Sequence, residues 1–103
     1  MILRFYPNPD LHEELHGIEA LAQLVAEALL ETIKESERPY DWEGIVHTAY
    51  KKVKLNESQR EYSPSEILHD LELLDVEETP EYVRVKIRVV SREYIEKEMV
   101  LEV

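Results

Sequence analysis

Two hydrophobic periods divide this chain. Through residue 74 apolar side chains recur every three or four positions, and from residue 83 they alternate with charged ones. Leu11, Leu15, Ile18, Ala22, Val25, Leu29 and Ile33 form one helical row, and Leu21, Leu24 and Ala28 form a second beside it. Together the rows predict one helix over residues 11–36, about 39 Å long. Its apolar arc covers about half the circumference, wider than a single contact needs. Such a helix either packs against two elements at once or offers surface to a partner. Asp10 is placed to cap it, with Glu13 completing a capping box. Pro39 ends it, and Asp41 caps a second helix with a stripe of Trp42, Ile45, Val46, Ala49 and Val53. Residues 55–62 read as a loop. Ser63-Pro64-Ser65-Glu66 has the serine cap, early proline and glutamate of a helix start. Ile67, Leu68, Leu71 and Leu74 would line that third helix.

Val83, Val85, Ile87 and Val89 alternate with Arg84, Lys86 and Arg88, and Ile95, Met99, Leu101 and Val103 alternate with Glu96, Glu98 and Glu102. These are two strands whose charged faces have opposite sign, which makes them neighbours in a hairpin. Arg88 sits opposite Glu96 and Lys86 opposite Glu98 only across a loop with an odd number of residues, and Ser91-Arg92-Glu93 supplies one. A further strand over residues 73–78 would turn at Thr79-Pro80-Glu81-Tyr82, with Leu74 and Val76 inward and Asp75 and Glu77 beside the basic stripe. Residues 2–6 fit a short strand at a sheet edge. The fold class expected is α+β: three helices, the first one long, on one face of a small antiparallel β-sheet of three or four strands. At 103 residues the chain fits one domain, 1–103.

Charge narrows the functions. Twenty-three acidic residues against twelve basic ones leave a formal charge of −11, a field that repels phosphate backbones and anionic lipid. Direct binding of nucleic acid or membrane is therefore not expected. Cysteine is absent, so disulfides and thiolate zinc sites are excluded. The apolar stretch over residues 18–33 is broken by Glu19, Gln23, Glu27 and Glu31, which makes it amphipathic rather than membrane-spanning. The opening apolar run is too short for a signal peptide, and the expected location is cytoplasmic. Abundant Glu, with Asn and Gln rare, matches thermophile composition.

One stretch spells a known chemistry: His12-Glu13-Glu14-Leu15-His16. Residues four apart share a helix face, so His12 and His16 can share an ion. In this pattern the pentapeptide resembles the zincin metallopeptidases. That resemblance implies His12 and His16 as zinc ligands and Glu13 as the base that activates a zinc-bound water. It covers five residues of 103. No third ligand stands at a telling spacing, since His47 and His69 belong to other predicted helices. Glu13 also serves a capping box, and positions 12, 16, 23 and 27 lie opposite the apolar stripe, as a solvated face does. Three helices and a hairpin also resemble a winged-helix domain in element order. That resemblance makes the third helix the reading helix, yet it carries Glu66, Asp70 and Glu72, which repel DNA. Lys51, Lys52 and Lys54 end the second helix, where cations complement its dipole.

The residues favour a non-catalytic protein–protein interaction or assembly module without a cofactor. It would bind a protein partner or form a homodimer through the long helix or a sheet edge. The alternative is a small zinc hydrolase built on His12, Glu13 and His16, and a third reading is an acidic decoy of nucleic acid.

Overall fold

The computed structural model describes the backbone of Ile2 and Leu3 together with residues 17–58 and 62–103. The elements run β1 (Ile2–Leu3), α1 (Ile18–Glu35), α2 (Trp42–Glu57), a single 3₁₀ turn (Pro64–Glu66), β2 (Leu68–Glu78), β3 (Val83–Ser91) and β4 (Glu96–Glu102). The sheet is antiparallel with strand order β1-β4-β3-β2, so the short first strand lies at an edge. The class is α+β. The described residues contain two α-helices, not three, and the segment expected as the reading helix of a winged-helix order is strand β2.

α1 begins at Ile18, later than the period predicts. Gly17, just before it, has φ 61° and ψ −133°, a conformation that glycine adopts without the Cβ clash of other residues. α1 therefore starts after Gly17; Leu11, Leu15 and the Asp10–Glu13 box lie outside the described residues. The wide apolar arc of α1 is consumed by two neighbours at once, α2 on one flank and strands β3 and β4 beneath. Leu21, Val25, Leu29 and Ile33 are fully or almost fully buried in that contact.

α2 starts as expected: the Asp41 side chain accepts the Gly44 N–H at 3.2 Å. A Cβ at Gly44 would lie 2.5 Å from the Asp41 carboxylate, so a larger residue there would make the capping side chain shift. The helix continues through Glu57, beyond the predicted end of its stripe at Val53, and buries Ile45, Ala49 and Val53.

The expected third helix does not form beyond its first turn, and the cause is clear. Its start signal is real: the Ser63 N–H donates to Glu66 Oε2 at 3.0 Å. The turn then lasts three residues and the chain enters β2. β2 pairs with β3 through two register shifts, which skip His69 and Leu74. Each β-bulge inserts one extra residue. Leu68 and Leu71 are buried and Leu73 and Val76 pack against the core, so the apolar spacing becomes three, two and three. That spacing imitates a helix. The bulge also removes Leu74 from the pairing, while Asp75 and Glu77 stand opposite Lys86 and Arg84 as expected.

Strands β3 and β4 keep the predicted faces but not the predicted register. Arg88 lies opposite Glu98, Lys86 opposite Val100 and Arg84 opposite Glu102. The loop has three residues, as parity requires, but they are Arg92, Glu93 and Tyr94. The Ser91 N–H donates to the Ile95 carbonyl at 2.9 Å, and the Tyr94 N–H to the Ser91 carbonyl at 2.8 Å. The fully buried Ser91 hydroxyl accepts the N–H groups of Glu93 and Ile95 at 3.3 and 3.2 Å. Tyr94 takes φ 62°, the left-handed residue that closes a three-residue hairpin loop.

One core cluster joins both layers: α1 and α2 above, and Val83, Val85, Ile87, Val89, Met99 and Leu101 below. Lys97 stands on this helix-facing side of β4, opposite Val89. It reaches the edge of the core, where its ammonium lies 3.9 Å from Glu19 in the first turn of α1.

Candidate functional site

Among the described residues, surfaces open to a partner include the β2 edge of the sheet, its helix-free face, and the outside of the helical layer. β2 forms one edge, and unpaired edge strands template further pairing. Here the edge is blunted at its start. The Leu68 N–H donates to Glu57 Oε1 at 2.6 Å, and the Leu68 carbonyl accepts from Lys54 Nζ. Lys54 and Glu57 are themselves paired at 3.2 Å. An ion pair at the end of α2 thus takes the backbone groups that a further strand would use. The Leu71 N–H is held by Asp70 Oδ1 at 2.9 Å, and the two bulges and the carboxylates of Glu72, Asp75, Glu77 and Glu78 guard the remainder.

The helix-free face carries the charged lattice. Arg84 bonds Glu102 of β4 at 2.6 Å and lies 3.5 Å from Glu77 of β2. Arg88 bonds Glu72 of β2 at 2.8 Å and Glu98 of β4 at 3.4 Å. Lys86 reaches Glu98 diagonally at 3.5 Å. The hydrogen bond that Arg84 donates to Glu102 raises the Arg84 guanidinium further above its ordinary range, against the cost of burial. Glu98 does the same for Arg88, helped by Glu72. Tyr82 donates to Glu77, and that hydrogen bond raises its phenol pKa. Carboxylates outnumber cations on this face, and all three basic side chains of β3 are engaged by them.

The outside of the helical layer differs. A groove of about 340 Å³ runs between α1 and α2, with Leu24, Ala28, Val53 and Leu55 among its lining and Glu31 and Lys52 on its rim. Leu55 is 66% exposed at its lip. Lys52 bridges the two helices, bonding Glu31 at 3.1 Å and Glu35 at 3.2 Å. The Lys52 hydrogen bond holds the Glu31 carboxyl below the usual carboxylate range. Burial works against the charge of Lys52, but the two glutamates outweigh it and raise its pKa. Glu27, Glu31 and Glu35 face outward here with Lys34, Lys51 and Lys52, and Glu19 and Glu43 add exposed acids at the starts of the two helices.

The sequence-predicted site fares differently. His12, Glu13 and His16 lie outside the described residues. His47 is exposed on α2 and lines a shallow cleft with Glu43, Tyr50 and Asp70. His69 is exposed at the first bulge of β2, its ring 5.0 Å from that of Tyr94. Among the described residues no group of three or more His, Asp or Glu is arranged to hold a metal ion. Among them, too, no helix is long and apolar enough to cross a membrane.

Two features have little or no sequence signal. Tyr94 and Ile95 make an apolar hairpin tip, 72% and 42% exposed. Alternation alone assigns Ile95 to the inward set, and the turn geometry turns it out. The Lys54–Glu57 clamp looks like ordinary i, i+3 helix pairing until β2 is seen beside it. Comparison of the chain with protein-family models, with curated proteins and with solved structures finds no match.

Proposed function

We propose that this protein is a non-catalytic assembly module that self-associates through the outside of its helical layer. The observation that supports this most is the α1–α2 groove with Leu55 standing 66% exposed at its lip. The groove is of mixed character, with Glu27, Glu31, Lys52 and Asn56 beside Leu24, Ala28 and Val53, and the leucine at its lip is apolar surface that a partner can bury. The long helix offers this groove even though most of its arc is spent on the core. The β2 edge is the weaker route, because its start is closed by Glu57 and Lys54.

Sedimentation equilibrium at tens of micromolar tests the reading. The expected species has twice the mass of one chain, and Leu55→Glu shifts it to the monomer with an unchanged far-ultraviolet spectrum. A wild-type protein that remains monomeric across that range overturns the proposal.

A further inference from the structure

We infer that the occupant of the α1–α2 groove is the same groove of a second copy, related by a two-fold axis that runs along the helices. The inference rests on the self-association proposed above and adds its geometry. A chain of net charge −11 repels its own copy over most of its surface. The helix-free face of the sheet is itself acidic and would add to that repulsion. On the outside of the helical layer Glu27, Glu31 and Glu35 stand beside Lys34, Lys51 and Lys52, which gives each copy cations to set against a partner's glutamates, although α1 and α2 together carry six acidic residues against four lysines.

The arrangement of those charges selects the symmetry. α1 and α2 are antiparallel neighbours, and the bonds from Lys52 to Glu31 and Glu35 fix their relative heights. Leu55 shares the groove with Leu24, Glu27 and Ala28, so it stands about one turn away from the level of Glu31. A two-fold axis along the helices and midway between them keeps heights unchanged. It lays each α2 across the partner's α1. Lys51 of each copy then falls within about one helical turn of Glu27 and Glu31 of the other. Leu55 of each copy falls over Leu24 and Ala28 of the other. Lys51 has no ion pair within its own chain among the described residues, so its charge is available. An axis across the helices would instead set α1 against α1, glutamate row against glutamate row.

The size is adequate for a reversible dimer. α1 has 18 residues and α2 has 16. A two-helix layer of that length presents roughly 25 Å by 20 Å in projection. Accessible area exceeds projected area, which brings the face towards the roughly 800 Å² per partner of standard interfaces.

A charge-swap experiment tests the geometry. Lys51→Glu alone sets two glutamate rows against each other, and Glu27→Lys alone sets two lysines together. Neither residue is buried, and circular dichroism checks that both variants fold. Each variant should dimerise about tenfold more weakly than wild type or worse. Mixing the two should restore wild-type affinity as a heterodimer, because both contacts across the axis become attractive again. Native mass spectrometry of the mixture reads that species directly. If wild type dimerises and the single variants do so equally well, or if mixing restores nothing, this axis is wrong while self-association stands. If wild type is a monomer, the underlying reading falls with it.

Discussion

Glu57→Ala probes the place where a helix replaces a strand. Leu68 is fully buried, and its N–H has the Glu57 carboxylate as acceptor at 2.6 Å. The Glu57 side chain is only 10% exposed, so water does not readily take over its role. Truncation leaves a buried amide without an acceptor, which costs about 1–3 kcal/mol. It also releases Lys54, whose partly exposed pairing contributes about 0.5 kcal/mol. The expected loss is about 2–3 kcal/mol, a large share of the roughly 5–15 kcal/mol that holds a domain folded. Glu57→Gln keeps an oxygen acceptor and loses only charge, so it should cost about 1 kcal/mol or less. Urea unfolding of the three proteins gives these differences directly, provided the denaturant slope is unchanged. Amide exchange at Leu68 adds a local readout, slow in wild type and Glu57→Gln and fast in Glu57→Ala. Equal losses for Ala and Gln, or a loss for Ala below about 0.5 kcal/mol, would refute the clamp as a buried hydrogen bond.

Other expectations follow from single contacts. Ile87 is fully buried in the middle of β3, so Ile87→Ala should cost about 3–4 kcal/mol in the same assay; a cost under half of that would mean the core collapses around the gap. Tyr94→Asn should stabilise the hairpin by about 0.5 kcal/mol, since relief of left-handed strain exceeds the loss of a mostly exposed ring contact with His69; a lower melting temperature would show that the ring contributes more than its exposure suggests. Lys52 keeps the Glu31 carboxyl ionised to lower pH than an ordinary glutamate. Its contribution to stability is therefore complete above the usual carboxylate range and is lost as pH falls through the lowered value. Carbon-detected NMR titration should place the Glu31 midpoint below the ordinary glutamate value, and Lys52→Met should raise it; no change in Lys52→Met would remove Lys52 as the cause.

Much of this architecture is written in the residues, and the exceptions have physical reasons. The Asp41 cap and the stripe of Ile45, Ala49 and Val53 define α2 because its propensity and packing agree. The opposite charges on β3 and β4 identify the hairpin and its facing sides. β2 is illegible because two bulges stretch a strand's period of two towards a helix's three or four. The turn is hard to place because a tyrosine occupies a left-handed position that glycine or asparagine would announce. The groove on the helical layer needs the heights of two helices, and no one-dimensional pattern contains those. The histidine pattern at 12–16 is the reverse case: it is plain in the sequence and lies outside the described residues.

Lys97 gives the hairpin its alignment. Sliding β4 by two residues preserves every inside and outside assignment, and it sets Arg88 against Glu96 and Lys86 against Glu98, so the acids and bases scarcely notice. The slide would, however, carry the Lys97 ammonium from its berth opposite Val89 to a position opposite Ile87, which is wholly enclosed. An unpaired cation there is prohibitive. A leucine at 97 would erase that veto and let two frames of the same hairpin compete, so one misplaced-looking lysine keeps the sheet single-valued.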